Sequence, residues 1–467
     1  MSLGRRLGRR QAWLASKRLF TFKAVEHPPA PSAPLEQTLP LARDQLLFLL
    51  DQVSGAGERN PKVWEVYSQQ AKQVVGTCSI EELCRIVRAL CRVQYMKKSL
   101  LNVIQKRLRS GEIQSLPPRC LAQLLSDLRR LRFFDGPMLQ DILKHWRFQE
   151  KLEEFGAWDL SLLLIAFARA SMRDKESVVA VGTALRQRSS DLTASTAAGS
   201  LYSLALLDFT DETGTFLAAK VLPRCLGHAS QQELVNIAFA LVVLDLPGAE
   251  LFSFTLERLA RQVSSLKPVE VHALRIVAHC VKFPDALQPA MRSSLEAPEA
   301  RQRSTEALKQ VLRATQNQVI ECPPMSSRLQ WALERYLDEL HLPYVPEQAV
   351  GPYIPDFILP MNVAVEVDGF KHFYAYSQRL TAKSQLKRRI LRAMGWGIVS
   401  LPHFVWLPMK HEERLVFLAK QVELASGASL SAVRKAAQQG FSRMRSRPFR
   451  KPYADSAPPR RAPPLKR

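Results

Sequence analysis

The chain has 467 residues, 46% of them hydrophobic, enough to bury a large core divided into two or three units. Its 66 Lys and Arg outnumber 43 Asp and Glu, and the formal charge of +23 favours a polyanionic partner, nucleic acid or an anionic membrane surface. Seven cysteines without a C-x-x-C pair exclude a disulfide scaffold and a zinc ribbon, and no window reaches the ~18 uninterrupted apolar residues of a membrane span.

Residues 1–25 carry seven Lys or Arg and no acid, interleaved with Leu3, Leu7, Trp13, Leu14, Leu19, Phe20 and Phe22. That amphipathic, acid-free pattern reads as an organellar presequence, mitochondrial first and plastid as the alternative, with a basic RNA-binding arm as the other reading. A Pro-rich linker over 26–42 follows.

Helical periodicity then runs over 43–320. In "ELCRIVRALCRV" the residues Leu83, Ile86, Val87, Leu90 and Val93 make one apolar helix face. The pattern returns at Leu121, Leu160, Ala197, Leu234 and, more weakly, Val271, at offsets of 38, 39, 37, 37 and 37 residues. Second apolar segments such as "SLLNVIQKRL" and "LFSFTLERLA" lie between, so each unit is a helical hairpin. One hairpin cannot bury both faces, and about six of them stack into an α-solenoid, with an irregular helical bundle as the alternative. The period resembles the heptatricopeptide and octotricopeptide repeats of organellar RNA-binding proteins. The first two units are rich in arginine and lysine, among them Arg85, Arg88, Arg92, Lys97, Arg107 and Arg130, so RNA bound to the solenoid is expected to meet its N-terminal half most strongly.

From Ser326 the texture becomes α/β: a helix in "SSRLQWALERYLDEL", strands at "YIPDFIL" and "VAVEVDG", a basic helix through "SQRLTAKSQLKRRILRAMG", a strand "GIVSLP" and a last helix over 411–427. "PDFIL", "VAVEVDGFKHFY", "LKRRIL", "GWGIVSLP" and "HFVW" together resemble the RAP domain, with its core over 326–410, as found in the Fas-activated serine/threonine kinase-like proteins. The resemblance implies a small fold related to restriction endonucleases and a role in organellar RNA metabolism. The expected fold is therefore mainly α, a solenoid followed by a small α/β restriction-endonuclease-like domain. The tail over 428–467 is basic and Pro-rich, with eleven Lys or Arg against Asp455 from residue 431 on, and reads as disordered.

Nucleases of that superfold hold Mg²⁺ with an Asp near one strand and an acid-x-Lys pair on the next. Here Asp356, Glu366 and Asp368 supply three acids, with Glu366 and Asp368 on one strand face, and His372 follows four residues on. The lysine slot holds Asp368, which leaves Lys371 or Lys383 as substitutes. Two readings stand: a metal-dependent endoribonuclease with Asp356, Glu366 and Asp368 as ligands and His372 assisting, or acids partnered internally by Arg388 or Arg389. For RNA binding the candidates are Lys371, Tyr374, Lys383, Lys387, Arg388, Arg389 and Arg392, with His372 and Tyr376 as further rings and Phe373 and Trp406 read as core. No cofactor is expected beyond Mg²⁺ under the nuclease reading. The partner is organellar rRNA or mRNA, or the mitochondrial ribosome itself in a structural role, in the mitochondrial matrix. G-x-x-x-x-G-K-[ST], H-E-x-x-H and G-x-S-x-G are all absent.

Overall fold

The computed structural model describes residues 41–440 apart from 110, 134–135, 147, 264–265 and 317–327. The expected presequence, nearly all of the linker, Cys322 and the basic segment beyond 440 lie outside the described residues.

Seven helical hairpins occupy the N-terminal part of the described residues. Their first helices are α1 (Arg43–Gly55), α3 (Ile80–Val93), α5 (Pro118–Arg130), α7 (Ala157–Arg169), α9 (Ala194–Leu206), α12 (Gln231–Val243) and α14 (Pro268–Lys282). The second helices are α2 (Pro61–Val74), α4 (Lys98–Leu108), α6 (Gly136–Trp146), α8 (Lys175–Gln187), the pair α10 (Glu212–Phe216) and α11 (Leu222–Cys225), α13 (Ala249–Arg261), and the pair α15 (Pro289–Ser294) and α16 (Pro298–Ala314). From α3 onward the first helices begin 38, 39, 37, 37 and 37 residues apart, the expected offsets, and α1 adds one unit at the front.

The starts are locally encoded. Ser79 with Glu82 and Ser230 with Glu233 form reciprocal caps, and Pro118 and Pro268 open their helices where the missing N–H costs nothing. Gln94, Arg132, Ser171 and Asp208 take left-handed φ of 51–59° at the ends of α3, α5, α7 and α9, so the same tight turn recurs in four successive units. First helices pack on one another in chain order, α1 on α3 through to α12 on α14, and among the second helices α2 packs on α4, α8 on α10 and α13 on α16. The apolar face read at Leu83, Ile86, Val87, Leu90 and Val93 is at most 5% exposed and joins one core running the length of the array. Several expected RNA-facing arginines instead tie units together. Arg85 pairs with Asp51, Arg88 with Asp127 and Lys97 with Glu65, while Arg107 donates to the carbonyls of Val75 and Cys78.

The C-terminal module begins with α17 (Arg328–Glu339) and continues through β1 (Val345–Pro346), β2 (Phe357–Leu359), β3 (Val363–Asp368), α18 (Ala382–Ala393), β4 (Gly397–Pro402), α19 (His403–Trp406), α20 (His411–Ser426) and α21 (Leu430–Gly440). Sheet order follows the chain: β1 to β3 are antiparallel, and β4 runs parallel to β3 after the α18 crossover. Alternation sorts the side chains. Phe357, Leu359, Val363, Val365, Val399 and Leu401 face a core made with α17, α20 and α21, while Ile358, Ala364 and Ile398 pack on Leu391 of α18. Two boundaries move from their expected places. The basic helix begins only at Ala382, because Phe373 bridges Leu380 and the residues between them form a turn. The tail expected from 428 starts with a helix instead: Val433 of α21 is fully buried in the module core, and Arg434 Nε donates to the Leu340 carbonyl at 2.9 Å.

The opposite face of α18 is buried as well. Ala382, Leu386 and Ile390, at most 2% exposed, belong to the core of the hairpin array, and α18 packs on the Pro284–Ala286 turn and on α9. One basic helix is thus held between the sheet and the repeats. Among the described residues no helix is long and apolar enough to cross a membrane.

Candidate nucleic-acid interface

Strand β3 delivers Glu366 and Asp368 to the sheet face that α18 covers, 4% and 2% exposed, and Asp356 stands just before β2 at the same end. The three acids do converge, and a donor or cation already stands against each of them. Asp356 Oδ2 accepts the Val367 N–H at 2.6 Å and Oδ1 accepts from Gln330. Glu366 meets Lys387 Nζ at 2.6 and 2.7 Å. Asp368 accepts from the Arg388 guanidinium and from Ser400 Oγ, the latter at 2.6 Å, and His372 Nδ1 lies 3.6 Å from its other oxygen.

The donor set is therefore that of an internal ion-pair network, in which the Lys387 and Arg388 cations take the place against the carboxylates that Mg²⁺ would need. Among the described residues no group of three His, Cys, Asp or Glu is arranged to hold a metal ion. The acid-pairing lysine absent from the strand arrives from α18 as Lys387, a residue the sequence placed on RNA.

Burial sets the electrostatics here. It raises the carboxyl of Asp356 against the Val367 N–H, and it pushes Glu366 up to about 7 even against the Lys387 ammonium, with Asp356 and Asp368 adding to the rise. The sign follows from the raised value: Glu366 favours the folded state most below pH 4.5 and loses that contribution as pH climbs through about 7. In thermal melts Glu366→Gln is expected to match the wild type near pH 4 and to gain on it progressively toward pH 8; parallel curves would refute this. Truncating Asp368 acts differently, because it strands the Arg388 guanidinium, which is 13% exposed. Asp368→Ala is expected to cost about 3–5 kcal/mol, and Arg388→Met in the same chain to recover part of it in denaturant titrations.

The other expected RNA ligands divide clearly. Tyr374 is 2% exposed; its hydroxyl donates to the Leu206 carbonyl at 2.8 Å and accepts the Ala382 N–H at 3.0 Å, so it is a tether and not a stacking ring. Arg389 donates to the carbonyls of Val242 and Val243 at 3.4 Å, and burial lowers its pKa. Arg379 and Gln385 both reach the Asp208 carboxylate, and Ala375 N–H donates to the Ser171 carbonyl at 2.8 Å. A Cβ on Gly136 would lie 2.6 Å from Ala375 Cβ, so this close approach needs glycine. Phe373 and Trp406 are core, as expected. Lys371, Lys383 and Arg392 are exposed and remain available, as is Tyr376, 70% exposed.

A row of further free cations lies on the repeats. Arg92, Arg130 and Arg169 occupy one position in α3, α5 and α7, spaced 38 and 39 residues apart, and all are exposed. Arg130 and Arg169 have no ion-pair partner among the described residues, and Arg92 donates only to Ser54 Oγ, at 3.4 Å. In the next two units the same position holds Leu206 and Val243, whose carbonyls anchor Tyr374 and Arg389. The module therefore docks where the arginine row stops, and Lys383, close enough to Arg169 for the two charges to repel, extends that row onto α18.

Residues 365–421 match the RAP domain. The RAP match begins in β3 and ends in α20, so it contains Glu366, Asp368 and all of α18, while Asp356 precedes it. RAP is a family associated with RNA binding. No curated protein matches the chain.

Proposed function

We propose that this protein binds single-stranded RNA along the first helices of its repeats and does not cut it. The observation that carries this reading is the row of exposed arginines, Arg92, Arg130 and Arg169, repeated at the period of the hairpins and continued by Lys383 of the RAP domain. Evenly spaced cations without carboxylate partners suit a phosphate backbone, since every phosphate they neutralise releases condensed counterions. The buried acids of the RAP domain, in contrast, serve to seat α18.

In this reading the N-terminal basic segment directs the protein to the mitochondrial matrix, with the plastid as the alternative destination, and the bound RNA is an organellar transcript or rRNA. Its role is processing, stabilisation or ribosome assembly. Crosslinking the tagged protein in cells, sequencing the attached RNA and imaging the tag in the same cells tests this directly: enrichment of organellar RNA supports it, and recovery of cytosolic RNA alone sinks the organellar assignment. Incubated with labelled RNA and Mg²⁺ or Mn²⁺, the purified protein is expected to leave the RNA intact. Cleavage abolished by Glu366→Gln would reinstate the nuclease reading.

A further inference from the structure

A cleft of about 210 Å³ opens between the RAP domain and the fifth to seventh hairpins. Tyr202 of α9, Gln232, Asn236 and Phe239 of α12, and His272 and Ile276 of α14 form its repeat side; Tyr353 and Lys383 form the other. We propose that this cleft holds one unpaired nucleobase of the bound RNA, with Lys383 on the adjoining phosphate. The inference rests on the RNA-binding reading above and adds a site of base contact to it.

Size is the first argument. The volume falls below the ~300 Å³ at which sites for drug-sized ligands begin, which suits a single planar ring system. The lining is the second. Tyr202 and Phe239 meet edge to face at 5.7 Å, and with Ile276 they give an apolar wall on which a ring can rest. Beside them Gln232 Nε2 donates to Asn236 Oδ1 at 3.2 Å; Asn236 Nδ2 and Gln232 Oε1 have no partner among the described residues. One donor and one acceptor next to an aromatic wall is the complement of a base edge.

Charge is the third argument. Lys383 stands at the cleft beside Arg169, so a strand lying along the arginine row reaches this opening with its phosphates still matched by cations. Burial first, then Arg275 and Lys383, lower the pKa of His272, which keeps that ring neutral at physiological pH, edge-on to Tyr353 at 6.4 Å. The acid of the cleft, Glu270, is 4% exposed and its carboxylate accepts the Lys267 N–H at 2.8 Å, capping its own helix. An uncharged protein side chain would fill the volume equally well, but it would leave Lys383 at the rim without a partner.

The test uses the full chain and a set of short single-stranded RNAs, each with one abasic position, moved stepwise along the strand. Fluorescence anisotropy is expected to find one position where loss of the base weakens binding between about fivefold and a hundredfold, the range for one stacked base. Tyr202→Ala and Asn236→Leu should weaken the intact strand by a similar factor and erase the penalty at that position. Lys383→Ala, at an exposed site that does not threaten folding, should weaken intact and abasic strands alike and lower the salt slope by about 0.7. If wild type binds every strand equally and these variants bind as it does, the cleft is not a base site, although the protein still binds RNA. If no strand binds even at low salt, the RNA reading fails and this inference goes with it.

Discussion

Replacing Arg130 and Arg169 together with glutamate is expected to weaken binding of single-stranded RNA on the order of a hundredfold at ~0.1 M salt. Each phosphate left without its arginine accounts for about tenfold, or ~1.4 kcal/mol, and the slope of log K against log salt should become shallower by about 1.4. The fold should not notice. Both side chains are exposed and have no ion-pair partner among the described residues, so melting of the variant should stay within about 0.5 kcal/mol of wild type. Arg85 makes the informative control, because Asp51 already neutralises it at 2.7 Å; Arg85→Ala should change RNA affinity little. Equal affinity of the double variant and wild type across a salt titration would remove the arginine row from the binding surface.

Leu386→Asp is expected to separate the RAP domain from the repeats. Leu386 is fully buried, on the face of α18 that enters the repeat core beside Ile390 and Ala382. Truncation of such a residue to alanine costs about 2–5 kcal/mol, and a buried unpaired carboxylate adds a further desolvation penalty. The same helix clamps the sheet through Lys387 and Arg388, so release on one side loosens the other. Melting should divide into two transitions. Leu386→Met, close in volume, should keep a single transition. A single unchanged transition for the aspartate variant would mean that the two parts are coupled by something other than α18.

The sequence carried the repeat architecture almost completely, because hydrophobic phase and helix starts are local properties. Leu83, Leu121, Leu160, Ala197, Leu234 and Val271 share a place in successive first helices, and the caps at Ser79 and Ser230 fix where two of those helices begin. Strands β3 and β4 were legible for the same reason, whereas β1, with two residues, has no periodicity to read. The direction of α18 was not legible. Its cations looked like a solvated or RNA-facing surface, yet Lys387 and Arg388 turn to Glu366 and Asp368, Arg389 turns to the carbonyls of α12, and only Lys383 and Arg392 face outward. Burial on two sides depends on which surfaces come together, and no local pattern states that. One signal did exist: at the offset that links Arg92, Arg130 and Arg169 the chain switches to Leu206 and Val243, a loss of charge that marks the docking position.

That docking also constrains how such a protein can change length over evolution. The RAP domain grips the turn after α7 through Ser171, the turn after α9 through Leu206 and Asp208, and the end of α12 through Val242 and Val243. A hairpin inserted between these anchors would pull them apart by the width of one unit and break the grip. A copy of the α3–α4 hairpin inserted ahead of α3 would leave every anchor in register while lengthening the open arginine track. Growth is confined to the side of the array ahead of α3, so relatives with more or fewer hairpins should differ there and keep the clasped units constant in number.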